Sequence, residues 1–193
     1  MSAKTIVYPL FIAILLTTIS CRQDINVPKP KAYLKLDYPT AEYQYTDTKL
    51  PFLFDKNLLS SLEVIRKNNI IEGVNLVYKP MNASIYISYK FVDYNLDNLI
   101  KSSLSITQQH AKIAHSVSEK EFTNNISRVY GKIFDLSGPV ASQIQFYATD
   151  SINHFLSGAL YFNTRPNYDS IYPATRYIQN DIIRLMESIK WKK

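Results

Sequence analysis

S-Q-I-Q-F-Y-A-T-D-S-I-N-H-F-L-S-G-A-L-Y-F-N, residues 142–163, is the stretch on which the fold class turns. Ser142–Thr149 alternates: Ile144, Phe146 and Ala148 fall on one side, Gln143, Gln145 and Tyr147 on the other. A period of two is the pattern of a strand with one face in a core. Asp150–His154 is a polar connection and Phe155–Asn163 the returning strand, so the whole stretch reads as an antiparallel β-hairpin.

Downstream, Thr164–Tyr172 is rich in turn residues and reads as a loop, after which Asp169 or Ser170 can cap a last helix with Pro173 in its first turn. Ile178, Ile182, Leu185 and Ile189 form the apolar stripe of that helix, and Lys190, Lys192 and Lys193 suit the negative end of its dipole. The stripe predicts a helix docked on the sheet.

Upstream, Ile126–Leu136 is strand-like and ends at the turn Ser137-Gly138-Pro139. Ser116–Asn125 is polar and reads as a loop. Leu96, Leu99, Ile100, Leu104, Thr107, Ala111 and Ala114 fall at helical spacing behind Asp93 or Asn95 as N-cap, which predicts a helix across one face of the sheet. Val74–Phe91 reads as a second hairpin through the turn K-P-M-N, with Ile85, Ile87, Tyr89 and Phe91 facing a core and Ser84, Tyr86, Ser88 and Lys90 facing water. Leu50–Phe54, Tyr43–Tyr45 and Ala32–Tyr38 supply shorter strands, and Leu58–Arg66 reads as a strand with a short helix as the alternative. The expected fold class is α+β: an antiparallel β-sheet with packed helices and a C-terminal docking helix, in one globular domain over residues 32–193.

The start of the chain has a different character. Lys4 precedes Ile6–Ser20, an uncharged and largely apolar run that is shorter than the roughly twenty residues a membrane-crossing helix needs and that ends at Cys21, the single cysteine. A basic start, a short apolar core and a small residue before a cysteine describe a lipoprotein-type signal peptide over residues 1–20, with Cys21 as the lipidation site. An ordinary signal peptide with an incidental cysteine and an uncleaved anchor are the alternatives. Arg22–Lys31 carries Pro28 and Pro30 without helical or strand periodicity, so residues 21–31 read as the lipidated cysteine and an extended tether. A lone cysteine makes no internal disulfide, so the domain is expected to hold together by its core.

Four glycines, 13% aromatic and 20% charged residues argue against low complexity. The net charge of +6 is scattered rather than gathered into a stripe or a recognised module, which weighs against a nucleic-acid partner. Asp150, Ser151 and His154 are the types of a hydrolytic triad, but all three sit in one short connection without a nucleophile elbow, and turn chemistry accounts for Asp and Ser there. His110 and His115 are five apart, which is not the spacing of a helical metal pair. No catalytic residues, metal site or cofactor are expected, and the chain is expected not to be an enzyme. The candidate interaction residues are Asp150, Ser151 and His154 in one connection and Asn167, Asp169 and Ser170 in the other. Fifteen tyrosines leave room for a second expectation, a tyrosine-lined groove for a glycan or peptide.

Several stretches taken together carry a resemblance: P-K-P-K-A-Y-L-K-L (28–36), N-A-S-I-Y-I-S-Y-K (82–90), Q-Q-H (108–110), Y-G-K-I-F-D-L-S-G-P-V-A-S (130–142), Q-F-Y-A-T-D-S-I-N-H-F-L-S-G-A-L-Y-F-N (145–163), P-N-Y-D-S-I-Y-P (166–173) and a last helix ending at Trp191. The chain resembles the gliding-motility lipoprotein GldD family of the Bacteroidota over nearly all of its length after the signal. The resemblance implies a membrane-anchored, non-enzymatic component of the gliding motility and type IX secretion machinery. It also implies acylated Cys21 in membrane lipid and partners among the other gliding and secretion proteins, gliding lipoproteins included. The cell envelope is the expected location, at the outer membrane; Arg22-Gln23-Asp24 holds no acidic cluster, which favours the periplasmic side. The architecture is also similar to the PsbP and Mog1 type, a likeness of fold that says nothing of function.

Overall fold

Strands β9 (Ser142–Thr149) and β10 (His154–Phe162) pair antiparallel, with Phe155 opposite Thr149 and Gly158 opposite Phe146. This hairpin is the middle of the molecule. The computed structural model describes residues 36–46, 50–164 and 167–192, all within one unit that spans Tyr33–Lys193; the signal segment, Cys21, the tether and the first four residues of the Ala32–Tyr38 strand lie outside them. Leu36, Asp37 and Tyr38 are not in a strand.

In chain order the remaining strands are β1 (Tyr43–Tyr45), β2 (Phe52–Leu53), β3 (Asp55–Asn57), β4 (Ser61–Lys67), β5 (Ile70–Tyr78), β6 (Ala83–Phe91), β7 (Ser116–Asn124), β8 (Val129–Ser137) and β11 (Lys190–Trp191); the helices are α1 (Leu96–Ala111) and α2 (Tyr168–Ser188). Seven strands form one sheet in the order β4-β5-β6-β10-β9-β8-β7, antiparallel at every pairing. From β6 the chain crosses through α1 to the far edge, then returns strand by strand through β7, β8 and β9 until β10 pairs with β6. The fold is α+β, as the hairpin and helix patterns predict.

Each face of the sheet carries one helix. On one, Ile178, Ile182, Leu185, Met186 and Ile189 pack on Val74, Leu76, Ile85, Ile87, Ile144, Phe146, Leu156 and Leu160. On the other, Leu96, Leu99, Ile100 and Leu104 of α1 cover Phe134, Leu136, Tyr147 and Phe155. All eight residues of β9 are therefore buried, and the wet side expected for Gln143, Gln145 and Tyr147 is replaced by the underside of α1. The side-chain polar atoms of the two glutamines are paired except Gln143 Oε1, which is buried without a partner. Gln145 Oε1 accepts from Thr107 Oγ1 at 2.8 Å and its Nε2 lies 3.1 Å from His110 Nδ1, while Gln143 Nε2 donates to the Val140 carbonyl at 2.7 Å.

Three other segments differ from the sequence reading. Ser116–Asn125 is not a loop: β7 pairs with β8 from Ser116–Ser137 to Asn124–Val129. It is an edge strand in which Phe122 alone reaches the first apolar cluster, so its polarity protects an open edge instead of marking a connection. Helix α2 begins at Tyr168 with Asn167 as its N-cap, which puts Asp169 and Ser170 inside its first turn and Pro173 in the second. The same helix ends at Ser188; Lys190 and Trp191 form a short strand opposite Leu53 and Phe52, and Lys192 N donates to the Pro51 carbonyl at 2.8 Å. Trp191 is thereby drawn into a strand that closes on β2, where its ring meets Phe52.

A buried carboxylate ties the N-terminal strands to α2. Asp181 is 4% exposed and accepts from Tyr43 Oη at 2.7 Å, Tyr78 Oη at 3.0 Å and Asn57 Nδ2 at 3.0 Å. Burial raises its pKa above the usual carboxylate range, and the three donors only partly oppose that shift. Nearer the surface Arg184 Nε donates to Asp55 Oδ2 at 2.9 Å, and Arg176 pairs with Asp135.

Two measurements check this packing. A Cβ on Gly158 would stand 2.3 Å from the Phe146 ring, so Gly158→Ala is expected to lose about 1–3 kcal/mol in urea unfolding. Asp181 has the reverse of the usual carboxylate linkage. With its folded pKa raised, its contribution is fully present below 3.8 and is lost as pH rises through the folded value. The stability difference between wild type and Asp181→Asn should therefore narrow as pH is raised.

Candidate functional site

Asp-Ser-Ile-Asn closes the β9–β10 hairpin, and the Asp150 side chain organises it. Oδ1 accepts the N–H groups of Ile152, Asn153 and His154 at 2.9, 2.8 and 2.8 Å. Thr149 Oγ1 donates to the His154 carbonyl at 2.6 Å and accepts Ser151 N–H at 2.9 Å. Ser151 takes φ +69°, a left-handed conformation that lets the chain reverse, and its side chain is exposed. Burial pushes the Asp150 carboxyl up, but the three N–H donors and the nearby His154 outweigh it and hold the pKa below the ordinary value.

His154 faces away from Ser151 chemistry. Its Nδ1 is hydrogen-bonded to Tyr89 Oη at 2.9 Å, and its ring lies parallel to the Trp191 indole, with centroids 5.0 Å apart and planes 2° apart. Trp191 Nε1 donates to the Arg128 carbonyl at 2.9 Å. Burial lowers the His154 pKa, with Asp150 opposing, which favours the neutral ring. Asp150 and His154 thus shape a rigid turn: the carboxylate oxygen that would orient a catalytic base serves the backbone, and the imidazole is held by a phenol and an indole. A shallow cleft of about 490 Å³ lies beside them, lined by Ile126, Arg128, Lys190 and Trp191.

The second candidate segment is elsewhere. Since β10 runs from His154 to Phe162, Asn167, Asp169 and Ser170 stand at the opposite end of the sheet, about 30 Å away at ~3.4 Å per residue. All three are exposed. The backbone carbonyl of Asn167 accepts from Ser170 and Ile171 N–H at 3.1 Å each, which starts the helix, and none of the three side chains makes a hydrogen bond or ion pair among the described residues. The structure does not bring the two segments together.

Tyrosines also line a groove. Beyond the edge of α1, the open face of β5, β6 and β10 holds about 510 Å³ between Ile106, Asn75, Ser88, Ser157, Tyr86 and Tyr161. The Tyr86 and Tyr161 rings meet edge to face, 5.6 Å apart. His110 turns to Gln145, and no group of three potential metal ligands occurs among the described residues. The Tyr89–His154–Trp191 stack and the Asp181 network escape sequence reasoning because their partners lie far apart in the chain. One local signal was present: Ile126 and Ile152 are large apolar residues set among turn-forming ones, in N-N-I-S and D-S-I-N.

Asp150→Ala is expected to lower stability by about 1–2 kcal/mol, since three N–H groups lose their acceptor, whereas Ser151→Ala should stay within about 0.5 kcal/mol. Because the folded pKa of Asp150 is depressed, its contribution is present above the unfolded value and disappears as pH falls through the folded one. Urea titrations at descending pH should show the gap between wild type and Asp150→Ala closing.

A family model described as gliding motility lipoprotein GldD matches residues 23–191, which takes in β1–β11, both helices and both candidate segments. No curated protein and no solved structure gives a significant match. No helix among the described residues is long and apolar enough to cross a membrane. With a match that runs through almost the whole chain, the protein belongs to the gliding motility lipoprotein GldD family.

Proposed function

We propose that this protein is a non-enzymatic, lipid-anchored component of the bacterial gliding motility and type IX secretion machinery, and that it works through protein–protein contacts in the cell envelope. Family membership supports the process. In this reading the signal over residues 1–20 is removed, Cys21 carries the acyl chains, and the anchored domain faces the periplasm from the outer membrane. Its partners are other machinery proteins, among them further gliding lipoproteins, and neither a cofactor nor a nucleic acid takes part.

The observation that carries the contact assignment is the contrast between the two candidate segments. Asp150 is engaged by its own backbone. Asn167, Asp169 and Ser170 are exposed with uncommitted side chains, on the start of a helix whose far end is packed rigidly in the core. Polar groups already ordered by a helix form hydrogen bonds to a partner at a low entropic cost. We assign the partner contact to them. The tyrosine groove favours a second reading, a periplasmic glycan- or peptide-binding lipoprotein, in which Tyr86 and Tyr161 supply stacking surface and Asn75, Ser88 and Ser157 supply hydrogen bonds.

Asp169→Lys combined with Asn167→Ala and Ser170→Ala tests the assignment. Loss of a first-turn acid should lower stability by only about 0.3–1 kcal/mol. Co-purification of envelope proteins with the tagged chain, and spreading of colonies in a gliding host, should both be lost. Retention of both in a folded variant would place the contact elsewhere, and a Tyr86→Ala loss of function in its place would favour the groove.

A further inference from the structure

The four most exposed large apolar side chains among the described residues are Tyr94, Ile126, Ile70 and Phe91, at 106%, 98%, 68% and 61%. All four are at one end of the sheet. The pairing of His154 with Phe91 puts the end of β6, and Tyr94 just after it, beside the Asp150–Asn153 turn. Tyr130 opposite Thr149 sets the β7–β8 turn, with Ile126, on the other side of that turn. Gly73 opposite Ser88 brings the start of β5, with Ile70, level with Phe91. Ile152, 54% exposed, stands in the middle of the row. At ~4.8 Å between strands, the row runs about 29 Å across the sheet. Single exposed apolar residues are ordinary on a protein surface, but a row on successive turns is not scattered.

Charge follows the same row. Arg66 and Lys67 end β4, Lys90 precedes Phe91, Arg128 follows Ile126, and Lys190 and Lys192 flank Trp191. The acidic side chains at this end are Glu72, Asp93, Asp97, Asp150 and Glu187, and Asp150 is bound to its backbone. The apolar tips come from separate turns with only shallow clefts between them, the shape of a surface that meets something flat. Apolar and tyrosyl tips set among cations suit the boundary of a lipid layer, where apolar groups reach the upper acyl region, tyrosine sits at headgroup level and cations meet phosphates. A lipoprotein is also held near such a layer. Fourteen residues separate Cys21 from Leu36, and the fifteen peptide steps between them span at most about 50 Å of fully extended chain.

We infer that this end of the sheet is a second, non-covalent membrane contact, in which Ile70, Phe91, Tyr94, Ile126 and Ile152 enter the headgroup layer of a membrane containing acidic lipids. The inference goes beyond the proposed protein contact. It gives the anchored domain one orientation, with Asn167, Asp169 and Ser170 at the end turned away from the lipid.

Full-length protein reconstituted into vesicles tests this. Tyr94→Trp and Ile113→Trp add an indole at exposed positions at this end and at the other, and the wild type supplies the Trp191 background. In phosphatidylglycerol vesicles with brominated acyl chains, the added emission of Tyr94→Trp should be strongly quenched and that of Ile113→Trp should not. Quenching should weaken in ~0.5 M NaCl, in brominated phosphatidylcholine, and in the Arg128→Gln, Lys190→Gln background. Absence of quenching at position 94, or equal quenching at both positions, would overturn the inference. So would a Tyr94→Trp indole that is unquenched in vesicles yet shielded from iodide in native envelopes, since the row would then face a protein. None of these results bears on the Asn167–Ser170 contact, which is read by co-purification.

Discussion

Asp181 is a carboxylate in the middle of a helix, pointing into the body of the protein, with two phenols and an amide as its partners and none of them charged. Those partners come from β1, β3 and β5, so one side chain fixes how the N-terminal segments lie against α2. Each partner is itself constrained. Burial and the adjacent carboxylate push the Tyr43 and Tyr78 hydroxyls well above the ordinary phenol range, which keeps both as donors at all relevant pH. Asn57 Oδ1 accepts Leu59 N–H at 2.9 Å, which orients its amide toward Asp181. An apolar residue at position 181 would leave the Tyr78 hydroxyl buried without its carboxylate acceptor and the Asn57 amide with Tyr177 Oη alone, at 3.0 Å. The polar centre thus selects one seating of the helix where apolar packing alone would tolerate several.

The two helices are held very differently. Helix α2 buries Ile178, Ile182, Leu185 and Met186 almost completely. Helix α1 buries Thr107 alone and rests Leu96, Leu99, Ile100 and Leu104 half-exposed on the sheet. Fewer buried contacts mean a lower free energy for local opening, so α1 and the face it shields form the softer half of the molecule. The stiff half carries Asn167–Ser170 at the start of α2, and its other end carries the Trp191 stack. Both ends of the sheet are therefore connected through the best-packed element.

Much of this was legible along the chain, and the exceptions have physical reasons. Period two in Ser142–Thr149 and Phe155–Asn163, and the stripe Ile178, Ile182, Leu185, Ile189, identify the central hairpin and the docked helix, because each element shows its core face in its own residues. Polarity misleads at β7, since an edge strand has little to bury and looks like a loop. It misleads in the opposite sense at Gln143 and Gln145, which look like a wet face and are buried under α1. The start of α2 is obscured by Asn, Asp, Ser and Pro residues, which favour turns and first helical turns alike. At the candidate site, residue types alone suggested catalysis or contact at Asp150, Ser151 and His154. Only the hydrogen bonds show Asp150 organising its own loop, and only strand register gathers Ile70, Phe91, Tyr94, Ile126 and Ile152 at one end.

The pairing of β11 with β2 joins two strands far apart in the chain. Synthesis releases a chain N-terminus first, so Pro51, Phe52 and Leu53 are made long before Lys190, Trp191 and Lys192, which pair with them. Phe52, fully buried in the finished protein, stacks on Phe54 and Tyr89 and is met by Trp191, which also covers His154. Trp191 thus completes the aromatic cover over Phe52 and His154. Of the strand pairings among the described residues, that of β11 with β2 spans the most chain, so its second partner is the last to be made.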